Sequence, residues 1–318
     1  MYKKFFELKE NPFNVNPDPR YLFLTKQIEE TLSSLMYGIQ TRKGIITLAG
    51  EVGTGKTTLV NRLLDWLHQN RMKTAFLFNS RMNSTQFFDF VLAEFGIHCE
   101  SSSKSHQLIK LNQWIVERFR AGETCVLIID EAQNLTFPVL EEIRLLTNLE
   151  TSTKKLLQIV LSGQPEFEEK LNLPQLRQLR QRIMIRSKTG PLTKAETHAY
   201  ILERLKIAGA AANGQPIFSL AARDAIHLYS LGVPRVVNLL CEHALINAYV
   251  EQQRPIQPKI VEDIAREFQL DVVQPTATPE SLRTSAELYN SEAFIQNLGE
   301  VLSRFRLSPH TQSARERE

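Results

Sequence analysis

Ile45-Ile46-Thr47-Leu48-Ala49-Gly50-Glu51-Val52-Gly53-Thr54-Gly55-Lys56-Thr57-Thr58-Leu59 decides the fold. Ile45 to Ala49 is a short apolar run that reads as a buried strand. A glycine-rich turn follows, and Lys56 to about Gln69 regains helical spacing through Leu59, Leu63, Leu64 and Leu67. Glycines suit a turn whose backbone must wrap an anion with its N–H groups inward, because a Cβ opposes the conformations required. Gly50, Gly53 and Gly55 meet that need, with Glu51, Val52 and Thr54 completing the loop. Lys56 can reach terminal phosphates, Thr57 can offer its hydroxyl to Mg²⁺, and the first helical turn, with Thr58, adds its positive dipole. An ordinary glycine-rich turn is the bland alternative; the strand before and the helix after favour a phosphate cradle.

Outward from this unit, Thr74 to Phe78, Cys125 to Ile129 and Leu156 to Leu161 read as buried strands, with Ile183 to Arg186 as a shorter last one. Helical spacing marks Thr25 or Lys26 to about Gln40, and stretches near Ser84 to Phe95, His106 to Arg120 and Pro138 to Leu149. Strands alternating with helices predict a mostly parallel sheet covered on both faces. After Gly190-Pro191 the pattern turns wholly helical, starting with the capping box of Thr193 and Glu196 and running to about Leu270. The expected organisation is therefore an α/β domain over 1–190, an all-α domain over 191–270, and a linker and partly disordered tail over 271–318, within which Ser281 to Phe305 has amphipathic spacing.

Cys125-Val126-Leu127-Ile128-Ile129-Asp130-Glu131 is a buried strand ending in two acids, a costly place for charge unless a cation is near. With a phosphate loop in the same sheet, Asp130 suits Mg²⁺ and Glu131 suits orienting and polarising a water for attack on a triphosphate. Two solvated surface acids are the alternative. Ser162-Gly163-Gln164 ends the next strand, where Ser162 can place the water or sense the γ-phosphate, or simply make a turn. Asn79 ends its strand likewise and either bonds Glu131 or caps the strand. Arg177, Arg180 and Arg182 stand together before the last strand, suited to a transferring phosphoryl group in a neighbouring subunit, to a solvated basic face, or to nucleic-acid phosphates. Gly232-Val233-Pro234-Arg235 opens a helix, and Arg235 either reaches over the cleft to a γ-phosphate or is a surface arginine.

These pieces resemble the AAA+ ATPases, with Gly50 to Thr57 as Walker A, Leu127 to Glu131 as Walker B and Gly232 to Arg235 as the sensor-two arginine motif. Phe5-Phe6-Glu7-Leu8, Asn11-Pro12-Phe13, Pro17-Asp18-Pro19-Arg20-Tyr21-Leu22, Asp130-Glu131-Ala132-Gln133-Asn134-Leu135, Gly163-Gln164-Pro165-Glu166 and Gln178-Leu179-Arg180-Gln181-Arg182-Ile183 look like the GspA/ExeA group. The resemblance implies a P-loop NTPase core of five parallel strands with a helical lid, ATP and Mg²⁺ as ligands, and ATP-dependent homo-oligomers. It also implies Arg182 as the trans-acting arginine and a stretch around Phe13 and Tyr21 that closes over adenine. Members in type II secretion carry a membrane span and a peptidoglycan-binding region after the ATPase, and neither is read in this sequence. The settings that follow are assembly of a secretion, pilus or exopolysaccharide system through a protein partner, or transposition. In that last setting, ATPases of the TnsC, MuB and TniB kind share the core and polymerise on DNA.

A net charge of +3 over 318 residues requires neither nucleic acid nor membrane as partner. Cys99, Cys125 and Cys241 are far apart and odd in number, which fits a reducing compartment. Met1 to Phe13 lacks the apolar core of a secretory signal, and no apolar run approaches the ~18 residues of a membrane span. The expectation is a cytoplasmic protein without direct membrane insertion. A nucleotide switch that does not hydrolyse is a further alternative, against which the acid at Glu131 argues.

Overall fold

The computed structural model describes residues 1–270 apart from 15, 17, 79–80, 101–102 and 212–214. Asn79, the linker and the tail lie outside the described residues. A one-turn helix, α1 (Tyr2–Phe5), precedes α2 (Lys26–Gln40), β1 (Ile45–Ala49), α3 (Lys56–Gln69) and β2 (Lys73–Leu77). Then come α4 (Ser84–Glu94), α5 (Lys104–Arg120), β3 (Cys125–Ile129), α6 (Phe137–Leu146) and β4 (Leu157–Gly163). Two short helices, α7 (Pro165–Leu171) and α8 (Arg177–Arg180), lead to β5 (Ile183–Lys188). Only helices follow among the described residues: α9 (Lys194–Ile207), α10 (Leu220–Ser230), α11 (Pro234–Val250) and α12 (Pro258–Glu267).

The five strands form one parallel sheet in the order β2-β3-β4-β1-β5. Pleating sends alternate side chains to opposite faces, which sets up a three-layer core. On one face Leu127, Ile129, Ile159 and Leu161 pack with Phe87, Phe88, Leu111, Ile115, Val139 and Ile143 of α4, α5 and α6. On the other, Ile46, Leu48, Val126, Ile128 and Val160 meet Leu35 and Ile39 of α2 and Leu59 and Leu63 of α3. Because all five strands run the same way, the ends of β1, β3, β4 and β5 gather their following loops at one edge of the sheet. Open parallel sheets bind ligands at that edge.

The helical part packs on the sheet within one unit, Met1–Asp271. The N-terminal segment belongs to that packing: Lys9 donates its backbone N–H to Ala208 O, and α1 lies against α11. Phe13, 1 % exposed, packs edge-to-face on Phe218 instead of opening toward the sheet edge.

Candidate nucleotide site

β1 runs straight into the loop, where Gly53 and Gly55 take positive φ values of 79° and 90°. A Cβ on Gly55 would meet nothing within 4 Å, so this turn leaves a hollow above the start of α3. Beside it the Lys56 ammonium is 6 % exposed and donates to Gly50 O at 2.7 Å and Glu51 O at 2.9 Å. Burial pushes its pKa down, opposed by the negative fields of Glu131, Asp130, Glu51 and Glu166. A buried cation with no ion-pair partner among the described residues, next to an open glycine turn, suits an anion. The loop is braced from β5: Thr54 and Thr189 share a hydroxyl contact of 2.8 Å, and Thr189 N donates to Ala49 O.

β3 delivers the two acids to the same edge. Asp130 is 5 % exposed; Oδ1 accepts from Ser162 Oγ at 2.7 Å and from Glu131 N at 3.0 Å, and Oδ2 accepts from Thr57 Oγ1 at 3.3 Å. A hydroxyl and a carboxylate side by side form an oxygen donor set that suits Mg²⁺. Ser162 is fully buried with its hydroxyl on Asp130 and is not among the residues that line the cleft.

Glu131 takes a left-handed backbone conformation, φ 53°, an uncommon choice for a residue with a Cβ. Its Oε2 accepts from Gln133 Nε2 and, at 3.1 Å, from Gln164 Nε2, while Gln133 Oε1 accepts from Gln164 N at 3.1 Å. Two glutamines thus clamp one carboxylate between the ends of β3 and β4. Lys170 of α7 fixes the turn beneath by donating to Gln133 O and Leu135 O.

From the loop a cleft of about 330 Å³ continues along α9, lined by Val52 to Thr58, Glu131, Gln164, Arg235, Asn238, Tyr21, Tyr200 and Arg204 among others. The helical part reaches the loop directly, since Arg235 N donates to Gly53 O at 3.2 Å. A Cβ on Gly53 would lie 2.7 Å from Arg235 Cβ, so this approach requires glycine. Gly232 makes the other close approach: Leu192 N donates to Gly232 O, and an added Cβ would stand 1.9 Å from Leu192 O. The Arg235 side chain is exposed at the cleft and has no hydrogen-bond or ion-pair partner among the described residues.

A family model described as an AAA domain matches residues 39–171. Over 257 residues the chain is 40 % identical to the General secretion pathway protein A of Aeromonas hydrophila, covering 80 % of this chain and 46 % of that protein. The chain thus carries an AAA domain and is similar to the GspA/ExeA-like AAA+ ATPases. It spans about half the length of that curated relative. Among solved structures, the Aeropyrum pernix ORC2 protein in ADPNP and ADP complexes superposes with a TM-score of 0.58 at 15 % identity, covering 81 % of this chain and 72 % of that one. The Thermotoga maritima RuvB Holliday junction branch migration motor gives 0.53 at 18 %, covering 87 % and 82 %. These likenesses establish the AAA+ fold.

Within this AAA+ core the arginines expected before the last strand lie far from the loop. Arg182 precedes Ile183, which pairs with Ile45 at the start of β1, whereas the loop follows Ala49. Six residues of strand put Arg182 roughly 20 Å from its own phosphate cradle. Its guanidinium donates to Thr147 Oγ1 and Asn148 Oδ1; Arg180 donates to Asn172, and Arg177 is exposed. Tyr21 lines the cleft as expected, but Phe13 does not, because its ring anchors the segment on Phe218. Sequence reading gave no role to Gln133, Thr189 or Arg204. Gln133 sits two residues past Glu131 and carried that signal; the other two show nothing in the sequence that sets them apart.

Proposed function

We propose that this chain binds ATP with Mg²⁺ in the cleft, hydrolyses the β–γ bond, and uses ATP-dependent contacts between copies to remodel or assemble a protein partner. The observation that carries the reading is the buried, anion-seeking Lys56 placed with Thr57, Asp130 and Glu131 at one sheet edge. The backbone of Gly50 to Gly55 and the first turn of α3 cradle the phosphates, and Lys56 neutralises the terminal ones. Thr57 and Asp130 would hold Mg²⁺, which when bound would supply positive charge to the phosphate oxygens. Glu131, oriented by Gln133 and Gln164, accepts the proton of the attacking water. Residues 191–270 act as a lid, with Arg235 bonding the γ-phosphate side, so that closure follows ATP.

Arg182 is out of reach of its own site, so a catalytic part for it requires a second copy. Homo-oligomers with a shared site are therefore part of the proposal. The likeness to General secretion pathway protein A supports a partner in an envelope assembly system reached from the cytoplasm. Among the described residues no helix is long and apolar enough to cross a membrane. A DNA-directed adaptor would be recognised by ATP-dependent, salt-sensitive DNA binding.

Phosphate release from Mg·ATP by purified protein, compared with Glu131→Gln, tests the chemistry. The variant should retain ATP and lose roughly a hundredfold or more in turnover. Equal hydrolysis by the two proteins removes Glu131 from the mechanism.

A further inference from the structure

Thr189, the residue that follows β5, is 6 % exposed and donates its backbone N–H to the O of Ala49, the last residue of β1. Its hydroxyl lies 2.8 Å from that of Thr54, which is itself buried. A Cβ on Gly50 would stand 2.1 Å from Thr189 Oγ1 and 2.9 Å from Thr189 O. The first glycine of the loop therefore makes room for Thr189, whereas Gly53 and Gly55 serve positive φ values.

Proton counting fixes the direction of the hydroxyl pair. Thr54 has one hydroxyl proton and gives it to Glu51 O at 2.7 Å. Toward Thr189 it can only accept, so Thr189 is the donor, and the chain runs from Thr189 O–H through Thr54 O–H to the Glu51 carbonyl. That carbonyl also accepts from the Lys56 ammonium at 2.9 Å. An ammonium that turns to a phosphate must leave Glu51 O, and Gly50 O with it. Thr54 is then the donor that remains on Glu51 O, and Thr189 is the group that aims it. Because a peptide is planar, with its C=O and N–H pointing to opposite sides, a fixed Glu51 carbonyl also fixes the N–H of Val52, a residue that lines the cleft.

We propose that Thr189 is a positioning residue for the phosphate end: by donating to Thr54 it keeps the Glu51–Val52 peptide in place once Lys56 has moved to the phosphate. The inference rests on the nucleotide reading of the cleft and adds to it a residue that does not line the cleft itself. It also roots the loop where the helical part begins, since Leu192, three residues on, donates its N–H to Gly232 O.

The probes are ATP and inorganic tripolyphosphate, each titrated with Mg²⁺ against the parent protein, Thr189→Val and Thr189→Ser. Thr189→Val keeps the shape of the side chain and removes the hydroxyl, and should weaken both probes roughly tenfold. Thr189→Ser keeps the hydroxyl and should bind both within about twofold of the parent. Thr31→Val controls for a merely structural effect: it removes the hydroxyl that donates to Lys188 O at 3.1 Å, one residue before Thr189. That variant should melt lower and bind both probes like the parent. Thr54→Ala breaks the chain from the loop side and should itself weaken both probes by at least the factor expected of Thr189→Val; if Thr189→Val does not fold, parent-like affinity in Thr54→Ala decides against the proposal. Where both fold, the double variant should bind no more weakly than Thr54→Ala, because the two substitutions interrupt one chain. Parent-like affinity in Thr189→Val, no rescue by Thr189→Ser, a loss confined to ATP, an equal loss in Thr31→Val, or additive losses in the double variant each overturn the proposal. If the parent binds neither ATP nor tripolyphosphate, it is the nucleotide reading itself that fails.

Discussion

The two ends of the cleft each hold a buried cation, and they are built in opposite ways. Lys56 is 6 % exposed and bonded to carbonyls five and six residues behind it. Arg204 is 7 % exposed and bonded to a carbonyl 192 residues away. The phosphate end is thus a local object, set by one strand, one turn and one helix. The far end exists only when the N-terminal segment, the sheet edge and α9 have met. Contacts within one loop survive changes elsewhere, whereas a site assembled from distant segments responds to how those segments are held.

Lys56→Ala should break the local end with the largest effect. Removing one partner of a buried charged contact costs about 3 to 5 kcal/mol, here in ATP affinity, a loss of two orders of magnitude or more. Stability should change little, because the ammonium touches only loop carbonyls and its burial already works against it. Calorimetric titration and a thermal melt separate the two. Strong ATP binding by the variant would mean that the far end dominates affinity.

Gly232→Ala strikes the assembly of the far end while leaving the loop sequence intact. The new Cβ would stand 1.9 Å from Leu192 O at a φ of 75°, and relieving that overlap must shift α11 against the end of the sheet. A cost of about 2 kcal/mol or more is expected. Hydrogen exchange should quicken in α9 and α11 and stay slow in β1 and α3. Uniform quickening would show that the two ends unfold as one.

Gln133→Leu is smaller and confined to turnover. It removes one of the two amides that, among the described residues, hold Glu131 Oε2, and it removes the acceptor for Gln164 N. With the carboxylate less well aimed, kcat should fall by roughly tenfold while KM for ATP stays nearly constant. A change in KM alone would place Gln133 in binding and not in orientation.

The same contrast explains what the sequence made legible. β1, β3 and α3 fall on the bounds read from their apolar spacing, because each is a local pattern buried on both sides or along one stripe. The loop and the acids of β3 were readable since their chemistry depends on residues adjacent in the chain. α7 leaves no mark in the sequence pattern, since seven residues opening with a proline are too short to show a helical period. The sequence leaves Ser162 open between placing a water and making a turn; only the parallel register sets it beside Asp130, where its hydroxyl is drawn inward. Arg204 looks like any arginine on an amphipathic helix; its burial follows from Pro12 and Tyr21, which no spacing along α9 foretells.

Glu242→Gln gives the smallest and most diagnostic shift at the assembled end. Glu242 of α11 holds the N-terminal segment: the Tyr2 hydroxyl lies 3.0 and 3.1 Å from its two oxygens, and Asn11 Nδ2 donates to Oε1 at 3.1 Å. Burial raises its pKa above the ordinary carboxylate range, with the Tyr2 and Asn11 hydrogen bonds pulling the other way. A carboxyl whose pKa is higher folded than unfolded favours the folded state below the unfolded value, and that contribution is lost as pH rises through the folded value. Glutamine keeps an oxygen acceptor for the same donors and carries no charge at any pH. The variant should therefore melt a few degrees above the parent at neutral pH, and the gap should close as the solution is acidified into the range where Glu242 is protonated. A variant that melts below the parent by the same margin at every pH would show that the ionised carboxylate itself clamps Tyr2 and Asn11, and that the strap over the far end is held by charge.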